Sequence, residues 1–123
     1  IEVEVSLDPA DTMLYADRAL MSQVMVNLLK NATEALLAQD CDRKITIRST
    51  IDAEERIQIE ITNNGKAIPA EVAENIFTPF FTTKTDGSGI GLAVSRQIIR
   101  LHGGSLRLKH NEEGRVTFAV VME

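Results

Sequence analysis

Apolar and polar residues alternate in IEVEVSL at the start of the chain, the period of a strand with one buried face. The period changes at residue 17. DRALMSQVMVNLLKNATEALLAQ, residues 17 to 39, holds helix formers throughout and neither Gly nor Pro, with Asp17 placed to cap its start. KITIRST and RIQIEIT alternate again and predict an antiparallel hairpin across the polar link IDAEE. PAEVAENI opens on Pro69 and predicts a short helix with proline in its first turn. Residues 77 to 88 carry no period. IGLAVSRQIIRL predicts a second amphipathic helix that stops at Gly103 and Gly104, and SLRLKH and RVTFAVV predict a last hairpin across NEEG.

Single strands do not alternate with helices here, as they would in a doubly wound fold. Helices separated by hairpins predict an α/β (α+β) two-layer sandwich: a five-stranded, mixed and mainly antiparallel sheet, with helices on one face and solvent on the other. The chain of 123 residues is expected to be one domain.

Composition narrows the function. Hydrophobic residues make up 44% and charged ones 25%, as in ordinary globular proteins. The net charge is −5, the basic residues are dispersed, and aromatics are few, which argues against a nucleic-acid binder. Cys41 is the sole cysteine, so no intramolecular disulfide or cysteine metal cluster is expected, and a reducing compartment fits. No apolar run reaches the ~18 residues of a membrane span, so direct membrane contact is not expected. The absence of an initiating Met suggests a piece of a longer polypeptide. No long apolar patch is identified, and the isolated domain is expected to be a monomer.

Two stretches carry candidate chemistry. On the first helix, Val24, Leu28, Ala32, Ala35, Met25, Leu29 and Leu36 share a broad apolar face, and Gln23, Asn27, Lys30, Asn31 and Glu34 form a polar arc beside it. Such an arc is usually a solvated face. Asparagine is a mediocre helix former, however, and Asn31 borders the apolar side, where burial demands a partner. An amide oxygen suits Mg²⁺, and Lys30 can direct charge toward phosphate. The second stretch runs from ITNNGKAIP through IFTPFFTTKTDGSGIGL. Three phenylalanines within five residues predict an anchor packed onto the body. Gly87, Gly89 and Gly91 match neither the Walker loop nor the dinucleotide fingerprint. Open backbone amides at a helix start fit an anion instead, with Thr82, Thr83, Lys84 and Ser88 as further donors, and the composition is that of a closing lid. A flexible linker is the plainer alternative.

Together these stretches resemble the catalytic and ATP-binding domain of bacterial sensor histidine kinases, of the Bergerat (GHKL) superfamily. Four motifs stand in the family's order: QVMVNLLKNATEAL as the N box, NNGKAIP as G1, IFTPFFTTK as the F box and GSGIGLAVS as G2. The resemblance implies that Asn31 ligates Mg²⁺ at the ATP phosphates, with Asn27 and Lys30 facing them. Asn63 would bind the adenine amino group, and Gly65 would let the base approach the backbone. Phe77 and Phe80 would anchor the lid, Thr83 and Lys84 would lie over the nucleotide, and Gly87, Gly89 and Gly91 would wrap the phosphates. Ala67, Ile68, Thr82, Ser88, Ile90, Leu92 and Thr117 complete the implied nucleotide site.

G1 departs from the family's D-x-G-x-G, reading Asn63-Asn64-Gly65-Lys66-Ala67. A neutral acceptor at 63 predicts weaker nucleotide affinity. Hydrolytic relatives and serine kinases carry Glu where Asn27 stands, so transfer to a histidine is the expected reaction, with hydrolase, serine kinase or inactive nucleotide-binding module as alternatives. Neither His102 nor His110 resembles the family's acceptor. The acceptor histidine is therefore expected upstream, on a separate dimerisation domain, with a response regulator as partner of the full cytoplasmic protein. His102, at a helix end, is expected to act in capping.

Overall fold

The structure is a computed structural model that describes residues 1–7, 16–37, 39, 42–79 and 91–122. Cys41, Phe80, Phe81, Thr82, Thr83, Lys84, Gly87, Ser88, Gly89 and Ile90 therefore lie outside the described residues. The elements run β1 (Glu2–Leu7), α1 (Arg18–Leu36), β2 (Lys44–Ile51), β3 (Ile57–Asn63), α2 (Ala70–Ala73), α3 (Gly91–Leu101), β4 (Ser105–Glu112) and β5 (Arg115–Met122). The sheet order is β1-β2-β3-β5-β4; β1 and β2 are parallel and every other pair antiparallel, as the pattern predicts.

Alternation assigns the faces. Ile45 on β2, Ile61 on β3, Leu106 on β4 and Val116, Phe118, Val120 and Met122 on β5 are buried with Val24, Leu28, Ala32 and Leu36 of α1 and Ile98 and Ile99 of α3. The α1 set recurs every four residues, so one stripe of the helix meets the sheet. Ala35, expected on that stripe, is exposed. The opposite face of the sheet is polar, with Glu60 accepting from Gln58 Nε2 at 2.8 Å and pairing with Lys109 at 3.4 Å.

The helix ends follow local chemistry. Asp17 caps α1, its carboxylate accepting the Leu20 N–H at 3.0 Å. Gly103, at φ +78, closes α3 in the left-handed region, and the Gly104 N–H reaches back to Ile99 O at 3.0 Å. α2 is only four residues long, shorter than PAEVAENI predicts, and its last carbonyls feed turns that continue through Asn75 and Thr78.

Two further features depart from the sequence expectation. Ile1 and the β1 residues Val3, Val5 and Leu7 are exposed, with Val3 and Val5 at 55% and 57%. Val3 pairs with Ile45 and Val5 with Ile47, so the stripe extends the core face past the edge of α1, and it is an apolar patch that the sequence reading missed. The other is in β4. Leu106 pairs with Val120 and Leu108 with Phe118, but His110 pairs with Thr117, which leaves Lys109 as an extra residue in a β-bulge.

Candidate functional site

Asn27, Asn31 and Ala35 sit four residues apart along α1, so they form one row about 12 Å long at 1.5 Å per residue. Elements from both halves of the fold converge on this row. At its start, Asn27 Nδ2 donates to Gly91 O at 3.2 Å and to Ser95 Oγ at 3.0 Å, and Asn27 Oδ1 accepts from Gln23 Nε2 at 3.1 Å. Ser95 is wholly buried. Asn27 thus holds the first turn of α3 against α1. Both its donor hydrogens go to Gly91 and Ser95 of α3, which fastens that helix to α1. The first N–H groups of α3 lack partners within the helix, and the helix dipole makes that end electropositive.

Asn31, one turn further along, is half-buried, and Lys30 is exposed. At the far end of the row lies the turn after β3. Asn63 is 2% exposed and accepts the Gly65 N–H on Oδ1 at 2.9 Å. An amide oxygen carries two lone pairs, so Oδ1 keeps one acceptor position beyond the turn it closes. A Cβ at Gly65 would stand 2.9 Å from that oxygen and 3.3 Å from Ala35 O, so glycine is required by the approach of this turn to the end of α1. Asn64, by contrast, is structural: it accepts the Lys44 N–H at 2.9 Å and donates to Asp42 O.

The loop after Gly65 is held by the end of β4 and the β4–β5 turn. Asn111 Oδ1 accepts the Ile68 N–H at 2.7 Å and Asn111 Nδ2 donates to Ile68 O at 2.8 Å. Glu113 accepts the Ala67 N–H at 3.1 Å, and Gly65 O accepts the Gly114 N–H at 2.9 Å. Ile68 and Leu92 are partly buried and pack against the core.

Phe77 anchors its segment as expected. Its ring meets Phe118 edge-on at 6.1 Å between centroids, and the Arg96 guanidinium carbon lies 4.7 Å over it. A concavity lined by Phe77, Pro79, Ala93, Val94, Arg96, Gln97 and Arg100 flanks this anchor and shares no residue with the asparagine row.

Thr117 is the sequence-predicted residue that the fold does not bring to the site. Its Oγ1 lies 2.8 Å from Thr62 Oγ1. Thr62 and Asn63 are successive in β3 and point to opposite faces, so Thr117 turns away from the helices. Sequence reasoning missed Ser95, Asn111 and Glu113. A serine on the apolar stripe of α3 was the one legible signal, since Ser95 falls between Leu92 and Ile98 on the buried side.

His102 ties the other ends of the two helices together. Its Nδ1 bonds Ile98 O at 2.8 Å, and its Nε2 accepts the Asp17 N–H at 3.2 Å. This is a helix-end role, as expected for that residue. Among the described residues there is no cluster of three or more His, Cys, Asp or Glu able to hold a metal, and no helix long and apolar enough to cross a membrane.

Comparison with known proteins places the fold in a family. Residues 16–123 match the sequence model of the family described as Histidine kinase-, DNA gyrase B-, and HSP90-like ATPase. Sensor protein FixL of Bradyrhizobium diazoefficiens is 40% identical over 118 residues, which cover 96% of this chain and 23% of the relative. The chain thus spans about a quarter of that protein. A nucleotide-free catalytic domain of histidine kinase ThkA superposes with a TM-score of 0.84 at 38% identity, covering 98% of this chain and 77% of that one. ThkA in complex with the response regulator protein TrrA superposes with a TM-score of 0.75 at 35% identity, over 98% of this chain and 34% of that one. The chain belongs to the histidine kinase-, DNA gyrase B- and HSP90-like ATPase family, as an ATP-binding catalytic domain of the sensor histidine kinase kind.

Proposed function

We propose that ATP lies along the Asn27–Ala35 row of α1, its base at Asn63 and Gly65 and its phosphates toward the start of α3, and that the γ-phosphoryl group passes to a histidine on a separate dimerisation domain. One observation carries this reading: the row joins a buried amide acceptor at one end to a helix N-terminus at the other, as a molecule with a base and a phosphate tail requires. The remaining acceptor position on Asn63 Oδ1 suits the adenine amino group. The α3 amides and the exposed Lys30 suit phosphate oxygens. Within the segment between Phe77 and α3, the sequence offers Thr82, Thr83, Lys84, Ser88 and the glycines 87 and 89 as further phosphate donors.

The donor set also fits Mg²⁺. That ion keeps most of its waters and takes one or two protein oxygens beside substrate phosphates, which agrees with an asparagine row and no carboxylate cage among the described residues. Asn31 would be its protein ligand, and the ion would supply charge neutralisation at the phosphates. In the transfer, a neutral imidazole nitrogen forms a bond to the γ-phosphorus while the bond to the β–γ bridging oxygen breaks and ADP leaves. This chain orients the nucleotide and stabilises charge through α3. Asn27 lacks a basic pair, so it removes no proton, and hydrolysis is the minor outcome. A response regulator then receives the phosphoryl group from the full-length protein in the cytoplasm, in keeping with the ThkA–TrrA complex.

Calorimetric titration of ATP, with and without Mg²⁺, tests the site beside Asn31→Ala. Binding should strengthen with Mg²⁺ and lose that gain in the variant. Asn63→Asp should tighten ATP binding by strengthening the acceptor. Acid-labile phosphate on an added dimerisation domain should require ATP and this chain. Steady phosphate release without an acceptor domain would overturn the reaction assigned.

A further inference from the structure

We propose that Asn111 is a positioning residue for nucleotide binding: by holding the backbone of Ile68 at two points it fixes the loop that receives the base. The inference rests on the reading of Asn63 and Gly65 as the base site. Residues 64–69 belong to no strand or helix, so the shape of this loop must be imposed from outside. The Ile68 N–H and carbonyl both bond the Asn111 amide, at 2.7 and 2.8 Å. This is the exchange that a neighbouring strand makes with a paired residue, performed here by one side chain.

The bulge makes it possible. Leu106 and Leu108 face the core, and regular alternation would send His110 inward and Asn111 outward. The extra residue, Lys109, reverses the parity. Asn111 then pairs with Val116, which pairs with Asn63, so both asparagines lie in one row across the sheet. The same turn adds Glu113 on the Ala67 N–H and the Gly114 N–H on Gly65 O. Each of these four bonds lands on the segment from Gly65 to Ile68, and none reaches α1 or α3. Asn111 should therefore govern the base end of the ligand and leave the phosphate end alone.

The experiment compares ATP with inorganic tripolyphosphate, both with Mg²⁺, on the 123-residue chain and on Asn111→Ala. ATP affinity should fall at least tenfold, with tripolyphosphate affinity unchanged within twofold. Asn111→Asp supplies a readout that general damage would not move. At neutral pH the introduced carboxylate still accepts the Ile68 N–H but opposes the Ile68 carbonyl. On acidification it regains a donor, so its ATP affinity relative to the parent chain should recover as pH falls toward 5. The neighbouring charged and titratable groups are His110, Glu112, Glu113 and Arg115 at the end of the hairpin and Lys66 in the loop, and Glu113→Gln, which keeps an acceptor oxygen, and His110→Gln serve as the controls for their titration. Amide exchange gives an independent measure: Ile68 should exchange faster in Asn111→Ala, with α1 unchanged. Equal loss of ATP and tripolyphosphate, or ATP affinity equal to the parent's, would overturn the inference. Failure of the parent chain to bind ATP would instead overturn the base-site reading, and Ile68 exchange would still decide whether Asn111 orders the loop.

Discussion

Alanine introduced at Gly65 and at Gly91 should act in opposite directions, although both glycines lie in the candidate nucleotide site. At Gly65 a new Cβ would sit 2.9 Å from Asn63 Oδ1, 3.3 Å from Ala35 O and 3.5 Å from Leu36 Cδ2. Even close carbon–oxygen contacts keep about 3.3 Å, so the first distance is short by about 0.4 Å. Neither neighbour yields without cost, since Asn63 is 2% exposed and Leu36 wholly buried. Overpacking of this kind costs about 1–3 kcal/mol, offset by about 0.4–1 kcal/mol from the stiffer unfolded chain. The net loss is roughly 0.5–2 kcal/mol, or about 2–10 °C in Tm for a domain of this size. Relief comes by displacing Asn63 Oδ1, so ATP affinity should fall about tenfold, equivalent to ~1.4 kcal/mol. At Gly91 the Cβ would meet Asn27 Cγ at 3.8 Å, an ordinary contact. Alanine is the better helix residue there, so stability should hold or rise by up to ~1 kcal/mol. Urea denaturation followed by circular dichroism measures both variants, and calorimetry measures binding. A Gly65→Ala protein with the parent's midpoint and affinity, or two variants destabilised alike, would refute the crowding argument.

Three further outcomes follow from the same geometry. Ser95→Ala should cost about 1 kcal/mol, and a double-mutant cycle with Asn27→Ala should show about 0.5–1 kcal/mol of coupling; strict additivity would mean that their bond is idle. Phe77→Leu keeps apolar bulk but loses the Phe118 edge contact and the Arg96 stacking, about 1–2 kcal/mol together, read as a lower urea midpoint. The Asp52 carboxyl is held below the usual carboxylate range, chiefly by the Arg56 N–H and further by the Arg56 guanidinium. Its stabilisation is complete above the unfolded value of about 4 and is lost as pH falls through the lower folded value. The gap in stability between the parent and Asp52→Asn should therefore be widest near neutrality and close on acidification, and a gap that grows in acid would contradict this account.

The strands and helices were legible because their periods are clean. Residues 44–51 and 57–63 alternate, and α1 repeats every four positions with a capping aspartate at its head. The asparagine row was legible for the same reason, since Asn27 and Asn31 are one turn apart whatever the tertiary fold. What depended on long-range register was not. A single extra residue at Lys109 decides that Asn111 faces the helices, and alternation read from sequence carries no mark of it. The direction of the Asn27 amide was hidden too, because Gly91 and Ser95 lie more than sixty positions away. The exposed stripe on β1 reads in sequence as any half-buried strand. Whether such a stripe is covered is decided by packing, which the period does not record.

Helix α3 is fastened to α1 at both ends: Asn27 grips Gly91 and Ser95 at its start, and His102 reaches the Asp17 amide from its finish. A rod fixed at one end is a lever, and a rod fixed at both is a beam. A load applied to the first turn of α3 would therefore be shared with α1 through these bonds rather than borne by α3 alone. Release of either fastening would turn the beam into a lever, and the two releases would swing opposite ends of the same helix.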